Sequence, residues 1–343
     1  MTIASVQEVT PGWLTERLQA ASIAATVARF EVTKTHKTNS SLVHHLAVTY
    51  SGSDDAPAGL VLKLPYAELL WSQREPQFYR EVVPATQARC GEMPFLVRCY
   101  SAAHDPETGR AHLLFEDLSA THYSASADSA PTAEHYAQVV DSLARFHACW
   151  WEHAALGPRF GQRYTTPTLD ESLRLAQDRF PLLVASVGDQ LSAAQRRWLE
   201  KVVTVWPPLR RERLLHGRGI TLVHRDLHPL NFLYPHNNEH TRIVDWDAWR
   251  VDTGTDDLAY MMACWWDRTL RDVLERALLK RYHQRLADYG VTGYDWAACE
   301  YDYRASIVRC LLFLVAAWSP AVWEQLQRGL LAFEQYGCAA VLE

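Results

Sequence analysis

Three side chains in the stretch 220–247 have the types and spacing of phosphoryl-transfer chemistry: Asp226, Asn231 and Asp245. An acid on a loop accepts or orients a hydroxyl proton. An amide and a second acid supply hard oxygens that hold magnesium against nucleotide phosphates. Asp226 fits the first role, and Asn231 and Asp245 fit the second. Any one of them alone reads as a polar residue capping a turn. It is the set, each member set off by apolar runs, that carries the chemistry. His228, two residues past Asp226, either contacts the acceptor or bonds the loop backbone. Asp247 either reaches a second ion or faces solvent.

The elements around them are short strands. The apolar run 220–223 reads as a buried strand that delivers His224 and Asp226 onto a loop. Runs at 232–234 and 242–244, separated by Pro235-His236-Asn237-Asn238, read as a hairpin that presents Asp245. Upstream, 8–30 reads as a helix with Thr10 as cap and Pro11 in its first turn. Strands follow at 30–32, 42–50 and 60–64. A polar loop at 34–41 and a long turn at 51–59 make them an antiparallel meander.

Lys63 stands inside Leu-Val-Leu-Lys-Leu, and a lysine in so apolar a strand needs a partner or a cleft. Glu75 and Glu81, on the next helix, are its two candidate partners. Pro76 disfavours helical geometry at Glu75 and places it near the helix cap. Strands at 94–100 and 111–115 precede Leu-Leu-Phe-Glu-Asp-Leu, 113–118. From Thr132 onward the periodicity is helical, at 132–150, 170–186, 191–206, 257–267, 270–289, 296–318 and 320–336. The pair Pro207-Pro208 stops the third of these.

His-x-Asp-x-x-x-x-Asn followed by an apolar strand and Asp resembles the catalytic and metal loops of the aminoglycoside phosphotransferase and choline kinase-like superfamily. The texts Asp-Trp-Asp-x-Trp-Arg and Asp-Asp-Leu-Ala-Tyr-Met-Met are similar to its ecdysteroid kinase-like branch. The resemblance implies an α+β, protein kinase-like two-lobe fold: a small antiparallel-sheet lobe at 1–117 that binds nucleotide, and a larger, mainly helical lobe at 118–343. It implies Lys63 on the nucleotide phosphates, held by Glu75 in the Glu-x-x-Phe-Tyr register, with Glu81 as fallback. It also implies adenine recognition by the backbone from Glu116 to Leu118, and Asp257 bracing the catalytic loop. No G-x-G-x-x-G occurs, so Asn39, Ser40 and Ser41 are left to cover the phosphates with hydroxyls and backbone N–H groups. ATP or GTP with magnesium would be the cofactors.

From Asp245 to Asp257 is 12 residues. That leaves no room for an activation segment and peptide platform, and points to a small-molecule alcohol: an antibiotic, amino sugar, choline-like or steroid-like compound. The alternative is a nucleotide-binding pseudokinase without turnover. The composition agrees with a soluble globular protein: 48% hydrophobic and 22% charged residues, with a net charge of −6. No basic run invites nucleic acid, no 18-residue apolar stretch invites a membrane, and no leader segment is evident. Seven scattered cysteines without a C-x-x-C pair suggest reduced thiols in the cytoplasm. Oligomeric state leaves no signature.

Overall fold

The computed structural model describes residues 2–52, 56–69, 71–126, 129–163, 165–206, 217–237 and 239–343. Pro207-Pro208, and parts of the turns expected at 51–59 and 235–238, lie outside them. The elements in chain order begin with α1 (Pro11–Ala20), β1 (Val27–Lys37), β2 (Ser41–Tyr50), β3 (Gly59–Pro65), α2 (Arg74–Gln77), α3 (Val83–Cys90), β4 (Cys99–His104), β5 (Ala111–Glu116) and β6 (His122–Ser124). Then come α4 (Ala133–Trp150), α5 (Thr166–Val187), α6 (Ala193–Thr204), β7 (Ile220–Val223), β8 (Phe232–Pro235), β9 (Arg242–Ile243) and β10 (Arg250–Thr253). The chain ends with α7 (Thr255–Ala259), α8 (Arg268–Asp288), α9 (Trp296–Ala316) and α10 (Trp323–Gln335). Among the described residues no helix is long and apolar enough to cross a membrane.

Two compact units emerge. The first holds 1–131 and 230–249, the second 132–229 and 250–343. The lobes expected at 1–117 and 118–343 were drawn at the linker after β5, whereas the compact units carry 118–131 and the β8–β9 hairpin with the sheet.

In the first unit a five-stranded antiparallel sheet runs β1-β2-β3-β5-β4. One face buries Leu46, Val48, Leu60, Leu62 and Leu114 against Leu14 and Leu18 of α1. Helix α1 is shorter than the expected 8–30. Thr10 caps it, its Oγ1 accepting from Trp13 N–H at 3.1 Å, and Ser22 in the left-handed region (φ 65°) ends it. The polar loop expected at 34–41 is mostly strand. β1 continues to Lys37, and the turn is only Thr38 to Ser40. A β-bulge between Val32 and Lys34 changes the strand's face. Before it Phe30 and Val32 pair with Val48 and Leu46 of the core face; after it Lys34 pairs with His45 and His36 with Val43.

His112 is fully buried in β5, with Nε2 3.0 Å from Ser101 Oγ and its ring edge-on to Trp13. Burial and then the Arg17 charge push its pKa down to about 4. The folded imidazole is therefore neutral, while the unfolded one titrates near 6.5. The stabilisation it gives is present above the unfolded value and is lost as pH falls toward the folded one. The loss amounts to about 3 kcal/mol, at about 1.4 kcal/mol per pKa unit. Urea denaturation at pH 7.5 and 4.5 checks this: His112→Gln should lose less stability across that interval than wild type.

In the second unit β7 pairs with β10, and the helices surround α9. Ile307, Val308, Leu311 and Leu314 on α9 are buried, and Arg309 is paired with Asp256 at 3.0 Å. Cys99, Cys264, Cys299, Cys310 and Cys338 carry free thiols.

Candidate functional site

The pocket face of the sheet, opposite the α1 core, lines a cavity of about 550 Å³ within the first unit. Lys63 reaches it from β3, Glu75 from α2, Asn231 from just before β8, and Asp245 from just past β9. Lys63 Nζ lies 2.5 Å from Glu75 Oε2 and 2.6 Å from Asp245 Oδ1. Burial alone would lower the lysine pKa. The two carboxylates more than reverse that, so Lys63 stays charged. Burial pushes the Glu75 carboxyl up, and Lys63 pulls it back only in part. Glu81 instead accepts from Gln77 Nε2 on the exposed side of its helix.

The local fold explains this convergence. The helix begins at Arg74 and holds Pro76 in its first turn, where a missing N–H costs nothing. Two indoles tie that turn to the hairpin. Trp246 stacks on Phe78 at 4.3 Å and 7°, and Trp249 Nε1 donates to Arg74 O at 2.8 Å. The Trp246 backbone N–H donates to Glu75 itself. Val244 N–H donates to Asn231 O at 3.0 Å, and Asp245 adopts φ 65°, a costly backbone for a non-glycine residue. A second, water-sized cavity beside Lys63 and Glu75 takes Ser40 and Asp247.

Asn231 and Asp245 offer hard oxygens to the same cavity. This suits magnesium, which binds through one or two protein donors and completes its shell with phosphate and water. Among the described residues no group of three or more His, Cys, Asp or Glu could hold a metal alone.

Glu116, Asp117 and Leu118 form one wall. Glu116 N–H donates to Arg98 O at 3.0 Å, and Asp117 N–H to Gly59 O at 3.3 Å. Leu118 O accepts from Thr121 and His122. Among the described residues the Leu118 N–H has no hydrogen-bond partner. Ser41 lines the cavity, but the N–H groups of both Ser40 and Ser41 donate to Thr38 Oγ1, at 3.2 and 2.9 Å. The backbone cradle expected from these two serines is therefore already spent on closing the turn.

Asp226 and His228 lie in the second unit. His224 is buried, Arg225 takes φ 78°, and Asp226 N–H donates to His224 Nδ1 at 3.3 Å. The fully buried Asp257 holds this loop, accepting from His224 N at 2.8 Å and Arg225 N at 2.7 Å. Burial would raise its pKa, but His147 and the other donors hold it below the usual carboxylate range. His147 Nε2 is 3.4 Å from Asp257 and its Nδ1 bonds Tyr282 at 2.8 Å, so this core histidine also orients the brace. His228 stacks on Trp265 at 4.2 Å, with Nε2 3.4 Å from Asp226 Oδ2.

The sequence of the ecdysteroid kinase-like family matches residues 65–291, about two thirds of the chain. The chain belongs to the ecdysteroid kinase-like family. No curated protein matches it in sequence. Solved structures share its fold. One is a protein assigned as an aminoglycoside phosphotransferase from Ralstonia eutropha JMP134, with TM-score 0.58 and 14% identity over 97% of this chain and 96% of that one. Another is choline kinase from Cryptosporidium parvum Iowa II, with TM-score 0.57 and 12% identity over 91% and 90%. Spectinomycin phosphotransferase in complex with ADP and spectinomycin is a third, with TM-score 0.52 and 12% identity over 97% and 94%. The fold of this ecdysteroid kinase-like chain is α+β, two-lobed and kinase-like.

The family match begins two residues past Lys63, so the lysine's position rests on its own geometry. The cavity-lining side chains that the sequence analysis does not single out include Lys34, His36 and His45. Simple alternation could not find the first two, because the bulge changes the face of β1. His45 Nδ1 lies 3.1 Å from Asp117 Oδ2. Burial would raise the Asp117 pKa, but Ser119 and His45 bring it below the usual range.

Proposed function

We propose that this chain is an ATP-dependent O-phosphotransferase that moves the γ-phosphoryl group to a hydroxyl of a small molecule. The observation that carries the proposal is Lys63 set between Glu75 and Asp245 on the wall of a cavity that also takes Asn231 and the 116–118 backbone. In this reading the Leu118 N–H meets the nucleobase edge, as GTP or ATP, and Lys63 neutralises the phosphates. Residues 1–117 form the nucleotide lobe, and 118–343 bring the acceptor.

Asn231 and Asp245 would hold magnesium, which supplies charge neutralisation on the phosphates when bound. Asp226 accepts the acceptor hydroxyl's proton. The hydroxyl oxygen bonds to the γ-phosphorus as the bond to the leaving ADP oxygen breaks. Positioning matters more than basicity in such a loose transition state. His228, held by its stack on Trp265, sits beside Asp226 to contact the acceptor. The acceptor is an antibiotic, amino sugar, choline-like or steroid-like alcohol. Nucleotide supply places the reaction in the cytoplasm.

The test is phosphate transfer from ATP with magnesium to a panel of aminoglycosides, macrolides, sugars, choline and sterols. A product formed by wild type establishes the kinase and its acceptor class together. Tight nucleotide binding without any product across the panel would favour a pseudokinase. Absence of nucleotide binding would overturn the reading of the cavity.

A further inference from the structure

A kinase that lacks a glycine-rich loop must hold its nucleotide's phosphates by other means, and the first unit offers one. Gly12 is the only glycine before residue 52. The β1–β2 turn spends its N–H groups internally: Ser40 and Ser41 donate to Thr38 Oγ1, and Thr38 N–H donates to Ser41 O at 2.9 Å. Side chains take the exposed positions instead. Beyond the bulge, pairing runs Lys34–His45–Val61–Phe115 in one row across the pocket face. The neighbouring row is His36–Val43–Lys63. Cross-strand partners share a face, and all seven of these side chains line the cavity.

The charges in that array differ in what they already face. Lys63 is held by Glu75 and Asp245. His45 lies against Asp117. Among the described residues Lys34 and His36 have no ion-pair partner, and both are exposed at the edge of the cavity. His36 instead stands 5.7 Å from the His45 ring. A lysine without a counter-charge beside a histidine that can take a proton is an electrostatic footprint for an anion.

We propose that Lys34 and His36 bind the polyphosphate of the nucleotide through their side chains, in place of the backbone donors of a glycine-rich loop. The inference rests on the nucleotide reading of the cavity and adds the groups that select a polyphosphate over a nucleoside. It has a proton linkage. In the free protein burial, then His45 and Lys34, lower the His36 pKa. A polyanion reverses the electrostatic part, so binding draws a proton onto His36. Affinity should then strengthen as pH falls through the histidine range. The other titratable groups lining the cavity are Lys34 on β1, His45 on β2, Lys63 on β3, Glu75, Glu116, Asp117, His122 and Asp245, with Tyr79.

Calorimetric titration of the full chain with magnesium tests this, using ATP, AMP and adenosine on wild type, Lys34→Ala and His36→Asn. Each variant should weaken ATP about fivefold, the size of one exposed ion pair. Adenosine should bind all three proteins equally, and AMP should fall between. The gap between wild type and His36→Asn should narrow from about pH 6 to about pH 8; both bind the same nucleotide, so its own titration cancels. Equal ATP affinity in wild type and both variants, or equal losses for ATP and adenosine, would overturn the inference while leaving the nucleotide reading intact. If wild type bound neither ATP nor adenosine, the nucleotide reading would fall, and this one with it.

Discussion

Asp226→Asn should lower phosphoryl transfer by about 10³-fold, the middle of the range for removing a positioned general base. Nucleotide affinity should stay within about twofold, because the substituted group is not among the cavity-lining residues of the first unit. The loop itself should survive. Its backbone is fixed by Asp257 through the His224 and Arg225 N–H groups, and the bond from Asp226 to His224 uses the main-chain N–H. Asparagine keeps the size and polarity of the side chain and loses only its ability to take a proton. The loss should therefore fall on kcat rather than KM. Wild-type turnover in this variant, with an acceptor that wild type phosphorylates, would remove Asp226 from the role of base.

Lys63→Met should be the most destabilising single change in the first unit, at about 3–5 kcal/mol near neutral pH. The methionine stem fits the strand. The cost comes from Glu75, a buried carboxylate left without its cation. Burial then raises the Glu75 pKa against only the Trp246 N–H donor. A group whose folded pKa is raised contributes its stability below the unfolded value, near 4.3, and loses it as pH rises through the folded one. The variant's deficit should therefore grow from acid toward neutral pH. Adding Glu75→Gln should recover much of it, since a neutral amide tolerates burial better than an unpaired charge. Urea midpoints of wild type, the single and the double variant at two pH values decide this. A double variant no more stable than the single one would place the cost elsewhere. Both variants should also lose ATP binding.

Much of this was legible in the sequence because its signals are local. The lysine inside Leu-Val-Leu-Lys-Leu marked a partner, and the Glu75 it pairs with lies twelve residues on. The runs at 232–234 and 242–244 announced β8 and β9, and Thr132 announced the cap of α4. What was missed depends on pairing partners that no window contains. β7 joins β10 rather than the hairpin, and β6 adds a strand to β8. The strand expected at 94–100 begins only at Cys99. Its first residues form only a single bridge, Leu96 to Ile243, and the Pro94 and Leu96 carbonyls accept from the Arg242 guanidinium. Two expected α segments contain π-helical turns, Phe78–Val82 and Tyr260–Trp265. The insertion of one residue per turn shifts periodicity too little for a sequence pattern to register. The change of face at Thr33 is the same kind of omission, one extra residue that alternation cannot anticipate.

Asp245 and Arg225 share a property that bears on any redesign of this protein. Both take positive φ without being glycine, at 65° and 78°. A procedure that optimises thermal stability alone would write glycine or asparagine at both positions, since those residues suit that backbone best. At 245 the exchange would relax the main chain and delete the carboxylate that faces Lys63. At 225 it would remove the guanidinium that reaches Asp252 at 3.6 Å and lies over the Phe313 ring. Relief of the main chain would then come with the loss of the contacts each side chain makes. The two positions are where a strained backbone is kept together with an ion pair, and they are the ones a thermostabilising library should leave fixed.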